Sequence, residues 1–209
     1  MDIAILLYDR LTALDAIGPY EVLSRLPGAS AKFVAVEPGP VTTDNGMLTL
    51  VAEGSLGDAS EPDIVLVPGG PGEVAARAGG VALDWLRSVH ETSTWTTSVC
   101  TGSLVLAAAG LLDGKRATSH WLALEQLREL GAEPVSERVV FDGKIVTAAG
   151  VSAGIDMALA LAAAIAGEEV AQAIQLGIEY DPQPPFDAGS PTKAPAAIVE
   201  GVRAFSRFE

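Results

Sequence analysis

Thr96-Thr97-Ser98-Val99-Cys100-Thr101-Gly102-Ser103-Leu104-Val105-Leu106-Ala107 is the stretch on which the fold turns. A β-branched run leads directly into Cys100, and a helix-forming run starts within two residues of it. Gly102 and Ser103 are small enough for a sharp strand-to-helix turn that leaves the cysteine prominent. This is the sulfur counterpart of the nucleophile elbow that carries serine in other α/β folds. Similar apolar runs occur at Ile3–Tyr8, Lys32–Val36, Ile64–Val67 and Lys144–Thr147. They are nearly continuous rather than alternating, as expected of parallel strands covered on both faces. Helix-like segments alternate with them: Pro19–Leu26, Glu73–His90, Ser103–Ala109, Trp121–Leu130 and Ala153–Ile165. The alternation predicts an α/β fold with a mostly parallel central sheet between helices. Pro19 suits a first helical position. Val41–Glu53, with Asn45-Gly46, reads as a hairpin beside the main sheet, and Asp142-Gly143 as a type I′ turn between two further strands.

The chain has 209 residues, so one domain over 1–209 is expected, with a Pro-rich arm at about 181–195 and a short helix-like stretch, Ala196–Phe205, after it. Hydrophobic residues make up 49% and charged residues 19%, which excludes a disordered chain. The single cysteine excludes an internal disulfide and any Cys-cluster metal site. A formal net charge of −14 argues against nucleic acid and anionic membrane surfaces as partners. The N-terminus lacks a basic signal region, and the longest apolar tract, near Ala153–Ala166, is short and interrupted, so a cytoplasmic location is expected.

Four features carry chemistry. Cys100 is either a buried small hydrophobe or a thiol whose pKa is lowered by the helix N-terminus, where free N–H groups also await a developing anion. The strand–Cys–Gly–helix context favours the second. Ile64–Val67 runs into Pro68-Gly69-Gly70-Pro71-Gly72. That loop is a tight turn, a phosphate cradle or, beside Cys100, the other half of an oxyanion hole. Asp15, in an apolar stretch after the first strand, is either a helix N-cap or a carboxyl group at the same sheet edge as Cys100. His120 is either an N-terminal helix residue or a neighbour of Cys100, whereas His90 reads as a surface residue. No histidine has a clear second ligand, so no metal site is expected.

Pro68-Gly69-Gly70, Ser98-Val99-Cys100-Thr101-Gly102-Ser103 and Thr118-Ser119-His120-Trp121 together resemble the ThiJ/PfpI superfamily. Leu14-Asp15-Ala16-Ile17-Gly18-Pro19, Ala153-Gly154-Ile155-Asp156 and the Pro184–Pro191 tail narrow the resemblance to its isocyanide hydratase branch. The likeness extends over nearly the whole chain. It implies a flavodoxin-like three-layer α/β/α sandwich. It also implies a lyase-class hydratase that adds water to an organic isocyanide to give an N-formamide through a cysteine thioimidate. In that mapping Cys100 is the nucleophile, Asp15 its acid/base partner, and Thr101 shapes the site. Gly69, Gly70 and His120 bind substrate or the developing anion, with the N–H groups of Gly70 and Thr101 facing the reacting centre. A homodimer without metal or organic cofactor is implied as well.

Three alternatives stand beside it. Peptidase-like branches place histidine directly after the cysteine, where this chain has Thr101, and glyoxalase- and deglycase-like branches carry glutamate where it has Asp15. The shorter carboxylate therefore weighs against an enzyme acting on small dicarbonyls. A non-enzymatic redox sensor would use Cys100 oxidation. The ligand-binding half of a transcription regulator would need a basic helix-turn-helix segment, for which no room is expected after Ala204-Phe205-Ser206-Arg207-Phe208-Glu209.

Overall fold

Seven strands form one sheet with helices on both faces, described here over residues 1–208 of a computed structural model. In chain order the elements start with β1 (Asp2–Leu6), α1 (Ala13–Leu23), β2 (Ser30–Ala35), β3 (Gly39–Thr42), β4 (Thr49–Ala52) and β5 (Gly54–Ser55). They continue with β6 (Ile64–Val67), α2 (Glu73–Ala76), α3 (Val81–Thr92), β7 (Trp95–Val99), α4 (Gly102–Ala108), β8 (Arg116–Ala117) and α5 (Leu124–Glu129). The last are β9 (Glu133–Pro134), β10 (Val139–Asp142), β11 (Ile145–Ala148), α6 (Ala153–Ala166), α7 (Glu168–Gly177) and α8 (Ala196–Ala204). The sheet order is β10-β11-β7-β6-β1-β2-β5, parallel except for the β10–β11 pair.

The continuous apolar runs are explained by two cores, one on each face. Along β1, Ile3 and Ile5 point into the core under α1, α6 and α7, while Ala4 and Leu6 point into the core under α3, α4 and α5. Along β6, Ile64 and Leu66 share the first core, and Val65 and Val67 the second. Strands buried on both faces have no polar side to alternate with. Consecutive parallel strands lead their C-terminal ends to one edge of the sheet, and the turns after β1, β6 and β7 meet there.

Several expectations need correction. Helix α1 begins at Ala13, so Pro19 lies inside it rather than at its first position. The missing Pro19 N–H leaves the Asp15 carbonyl without its usual helical donor. Packing outweighs that loss, because a Cβ on Gly154 of α6 would lie 3.0 Å from the Pro19 ring, so the two helices meet ring to backbone. The segment expected as one helix from Glu73 to His90 is two, α2 and α3, parted at Gly79 and Gly80, whose φ angles are 118° and 93°. Trp121–Ala123 is a 3₁₀ turn before α5. The β10–β11 turn centres on Gly143 and Lys144, since Asp142 pairs with Ile145. Only Gly143 has positive φ, the pattern of a type II′ turn rather than type I′. Helix α7 and the short strands β5 and β9 are not signalled by local pattern, whereas β8 is the short strand expected ahead of His120. The β3–β4 hairpin forms as expected, and residues 181–195 are without helix or strand. Among the described residues no helix is long and apolar enough to cross a membrane.

Gly102 shows how tightly the elbow is built. A Cβ there would lie 2.1 Å from the Val67 carbonyl oxygen. Backbone at the end of β6 cannot step aside, so Gly102→Ala is expected to cost at least about 2 kcal/mol. Thermal unfolding should show it as a fall in Tm of roughly 5 °C or more.

Candidate active site

Cys100 is the turn itself. Its φ is 57°, in the left-handed region that costs a non-glycine residue on the order of 1 kcal/mol. Surrounding bonds hold it there. Its N–H is shared between the carbonyls of Ala148 (3.0 Å) and Ala149 (2.9 Å). Its carbonyl accepts from the Ser103 hydroxyl at 3.1 Å and the Ser119 hydroxyl at 3.0 Å. The Thr118-Ser119-His120 segment thus serves the elbow through Ser119, a role its residue type alone did not reveal.

The sulfur faces two backbone donors, the N–H groups of Thr101 and Val151, and the Asp15 carboxyl. Cys100 is only 6% exposed. Burial, followed by the Asp15 charge, pushes the thiol well above its ordinary pKa, and the two N–H groups only partly oppose this. The expectation of a thiol lowered by the helix N-terminus is therefore corrected. Helix α4 has seven residues, and burial of the sulfur is the largest influence on the thiol.

Asp15 stands in the first turn of α1 and is fully buried. It is not the helix N-cap, which is Thr12. Its Oδ2 accepts from the Gly69 N–H at 2.9 Å, across 54 residues of sequence. Its Oδ1 is buried without a hydrogen-bond partner among the described residues. Burial raises the carboxyl from 3.8 to about 7, against the lowering effects of the Gly69 N–H and the Cys100 thiol. A carboxyl that keeps its proton near neutrality, with a free oxygen beside a thiol, is placed to deliver and recover protons.

The glycine loop is used differently from expectation. The Gly70 N–H donates to the Thr101 hydroxyl at 2.9 Å instead of facing the reacting centre. The Gly69 N–H is taken by Asp15. The loop positions the acid and Thr101, while Thr101 and Val151 supply the N–H groups at sulfur. Gly69 has to be glycine, because a Cβ there would lie 2.5 Å from the Thr101 nitrogen. Tyr8 braces the loop from below, its hydroxyl donating to the Pro68 carbonyl at 2.5 Å.

His120 fills both roles left open for it. It caps the 3₁₀ turn, its Nδ1 accepting from the Leu122 N–H at 3.4 Å, and its ring lines the cleft at Cys100. Burial first, then the Arg207 charge, lowers its pKa below 6.5, so the ring is neutral near pH 7. His90 is half-buried rather than on the surface, with Nδ1 2.8 Å from the Thr96 hydroxyl. The cleft over Cys100 has a volume of about 290 Å³ and is lined by Thr12, Gly70, Thr101, His120 and Val151 together with the C-terminal residues Phe205–Phe208. A neighbouring hollow of about 570 Å³ shares His120 and Val151 and is lined on its far side by Gly189–Thr192 of the Pro-rich arm. Among the described residues no three His, Cys, Asp or Glu side chains gather as metal ligands.

The DJ-1/PfpI family model matches residues 1–164. The chain belongs to the DJ-1/PfpI family. It is 46% identical to an isonitrile hydratase from Pseudomonas putida over 97% of this chain and 89% of the relative. It is also 32% identical to the HTH-type transcriptional regulator CdhR of Pseudomonas aeruginosa, over 76% of this chain and 48% of that protein. Among solved structures, a ThiJ/PfpI family protein from Pseudomonas syringae superposes with a TM-score of 0.94 at 39% identity, covering 97% of this chain and 84% of that one. Drosophila melanogaster DJ-1beta superposes at 0.78 with 24% identity, over 87% of this chain and 98% of that one, a likeness of fold alone. In this DJ-1/PfpI chain the elbow cysteine, the Asp15 carboxyl and Thr101 converge, as the sequence implied. Val151, Ser119 and the C-terminal wall of the cleft are additions from tertiary structure.

Proposed function

We propose that this chain hydrates organic isocyanides to N-formamides at Cys100, with Asp15 moving the protons. The observation that carries this reading is the buried thiol–carboxyl pair, in which the carboxyl holds its proton up to about pH 7. The likeness to the Pseudomonas putida isonitrile hydratase over nearly the full chain supports it. In the first step the isocyanide carbon gains a proton from Asp15 and a bond to Cys100 sulfur. The thiol proton passes to the Asp15 carboxylate, which leaves a neutral thioimidate. In the second step water adds to the thioimidate carbon and the nitrogen takes a proton. The carbon–sulfur bond then breaks, the thiol recovers its proton and the N-formamide leaves. One difficult hydration is thereby split into two additions at a single carbon. The N–H groups of Thr101 and Val151 stabilise sulfur as negative charge develops on it in attack and departure.

In this reading the enzyme is a cytoplasmic homodimer that uses no metal or organic cofactor and engages neither nucleic acid nor membrane. The net charge of −14 supports a small uncharged substrate over a polyanion. The exposed Met47, Leu48 and Val51 on the β3–β4 hairpin support burial against a second copy. The deciding experiment incubates the purified chain with p-nitrophenyl isocyanide and follows the formamide. Turnover supports the reading; no formamide, with methylglyoxal consumed instead, would transfer the site to dicarbonyl chemistry. A buried protonated thiol is a poor target for peroxide, which weighs against a redox sensor.

The reaction should also depend on pH through Asp15. The acid form delivers the first proton, so kcat/KM should be level below about 7 and fall above it. The limiting slope is about tenfold per pH unit for a single required proton. A profile that rises through pH 7 instead would make Asp15 a base in the first step.

A further inference from the structure

The C-terminal residues cross the mouth of the Cys100 cleft, and their anchorage is more specific than surface packing requires. Glu73, fully buried at the start of α2, pairs with Arg77 Nε at 2.8 Å and with Arg207 Nη1 at 2.9 Å. The same guanidinium donates to the Pro71 carbonyl at 3.3 Å and the Gly70 carbonyl at 3.1 Å. Arg207 thus spans the glycine loop that positions Asp15 and Thr101. Its guanidinium also lies 4.5 Å over the Phe208 ring. Outside the cleft lining, Arg203 at the end of α8 lies 5.2 Å over the ring of Trp121, the residue after His120. The chain between these anchors, Phe205 to Phe208, forms one wall of the cleft. Phe205 stands at the mouth, 95% exposed, and Phe208 is half-buried.

A guanidinium fork satisfied by a buried carboxylate and two carbonyls is a fixed attachment, because release would leave Glu73 with one cation fewer in a buried site. We propose that Phe205–Phe208, clamped by Arg207 to Glu73 and the Gly70–Pro71 carbonyls, is the wall that limits the size of the group admitted to Cys100. In this arrangement Arg207 is a positioning residue and the aromatic segment determines specificity. For the isocyanide reading above, on which the substrate side of this inference rests, the segment faces the organic substituent. Small substituents fit between it and His120, and bulky ones collide with it.

The single cysteine makes a direct test available. Alkylation rates of Cys100 by iodoacetamide and by the bulkier N-(1-pyrenyl)maleimide are measured on the unmodified chain, on Arg207→Ala and on a chain ended after Ala204. Both variants should raise the maleimide rate relative to the iodoacetamide rate by about tenfold or more, the scale on which pocket walls discriminate size. A ratio unchanged within about twofold in both overturns the proposal, as does an equal rise of both rates, which would report general loosening. The shortened chain keeps the test decisive if Arg207→Ala misfolds. In parallel, kcat/KM for p-nitrophenyl isocyanide over methyl isocyanide should rise in the same variants. If the unmodified chain hydrates neither isocyanide, the functional reading fails while the alkylation ratio still decides the wall.

Discussion

Cys100→Ala is expected to reduce isocyanide turnover by at least about 10³-fold, the scale on which removal of a covalent nucleophile is felt. The fold should survive. Alanine keeps the Cβ, and the positive-φ backbone is held by bonds that do not involve sulfur: the carbonyls of Ala148 and Ala149 and the hydroxyls of Ser103 and Ser119. The lost contacts of one buried sulfur should cost about 1 kcal/mol, a small shift in Tm for a chain of this size. Formamide release measured beside a thermal melt separates the two effects. Retained turnover in a folded variant would remove Cys100 from the chemistry. Loss of turnover together with the fold would leave the elbow merely structural.

Asp15→Asn should lower kcat by about 10²- to 10⁴-fold, the usual yield of positioned proton transfer. The amide has the carboxyl's shape, and its oxygen can still accept the Gly69 N–H, so the loop stays in place. It has no exchangeable acid to give to the isocyanide carbon. The same substitution should change stability in the opposite sense. In the unfolded chain Asp15 loses its proton near pH 4, whereas in the folded chain it keeps it to about 7. The native state therefore binds the extra proton between those limits, and unfolding free energy falls as pH rises through that window. Above about pH 7 both states are ionised and no further loss accrues. The difference amounts to on the order of 4 kcal/mol. Denaturant melts of the unmodified chain and of the Asp15→Asn variant at pH 5 and 8 should show the unmodified chain losing ground on the variant. Parallel pH dependences would mean the carboxyl is already ionised at pH 5.

The two variants distinguish roles that local sequence could not assign. Val99-Cys100-Thr101-Gly102 announced an elbow because a β-branched run, a small turn residue and a helix former act within a few residues of one another. Pro68-Gly69-Gly70 announced a close backbone approach for the same reason. Asp15 could equally have been a helix cap, and only its bond to Gly69 made it a site residue. Val151 gave no signal, since a backbone N–H looks the same at every residue and only the fold of β11 into α6 brings this one to sulfur. Arg207 gave none either, because its partners Gly70, Pro71 and Glu73 lie more than 130 residues away in the chain.

The boundary between the two kinds of knowledge follows the range of the forces. Strand runs, the Cys100 elbow and the glycine positions depend on steric rules that operate over neighbouring residues, and the sequence by itself determined them. It also brought the family into view, through motifs spread along the whole chain. The start of α1 ahead of Pro19 and the direction of the Cys100 pKa depended on what packs against them. Desolvation was decisive for the last: a helix N-terminus favours thiolate when it acts alone, but the assembled core excludes water from the sulfur and sets a carboxyl beside it. Only the tertiary structure could decide that burial and the neighbouring Asp15 carboxyl push this thiol above its ordinary range.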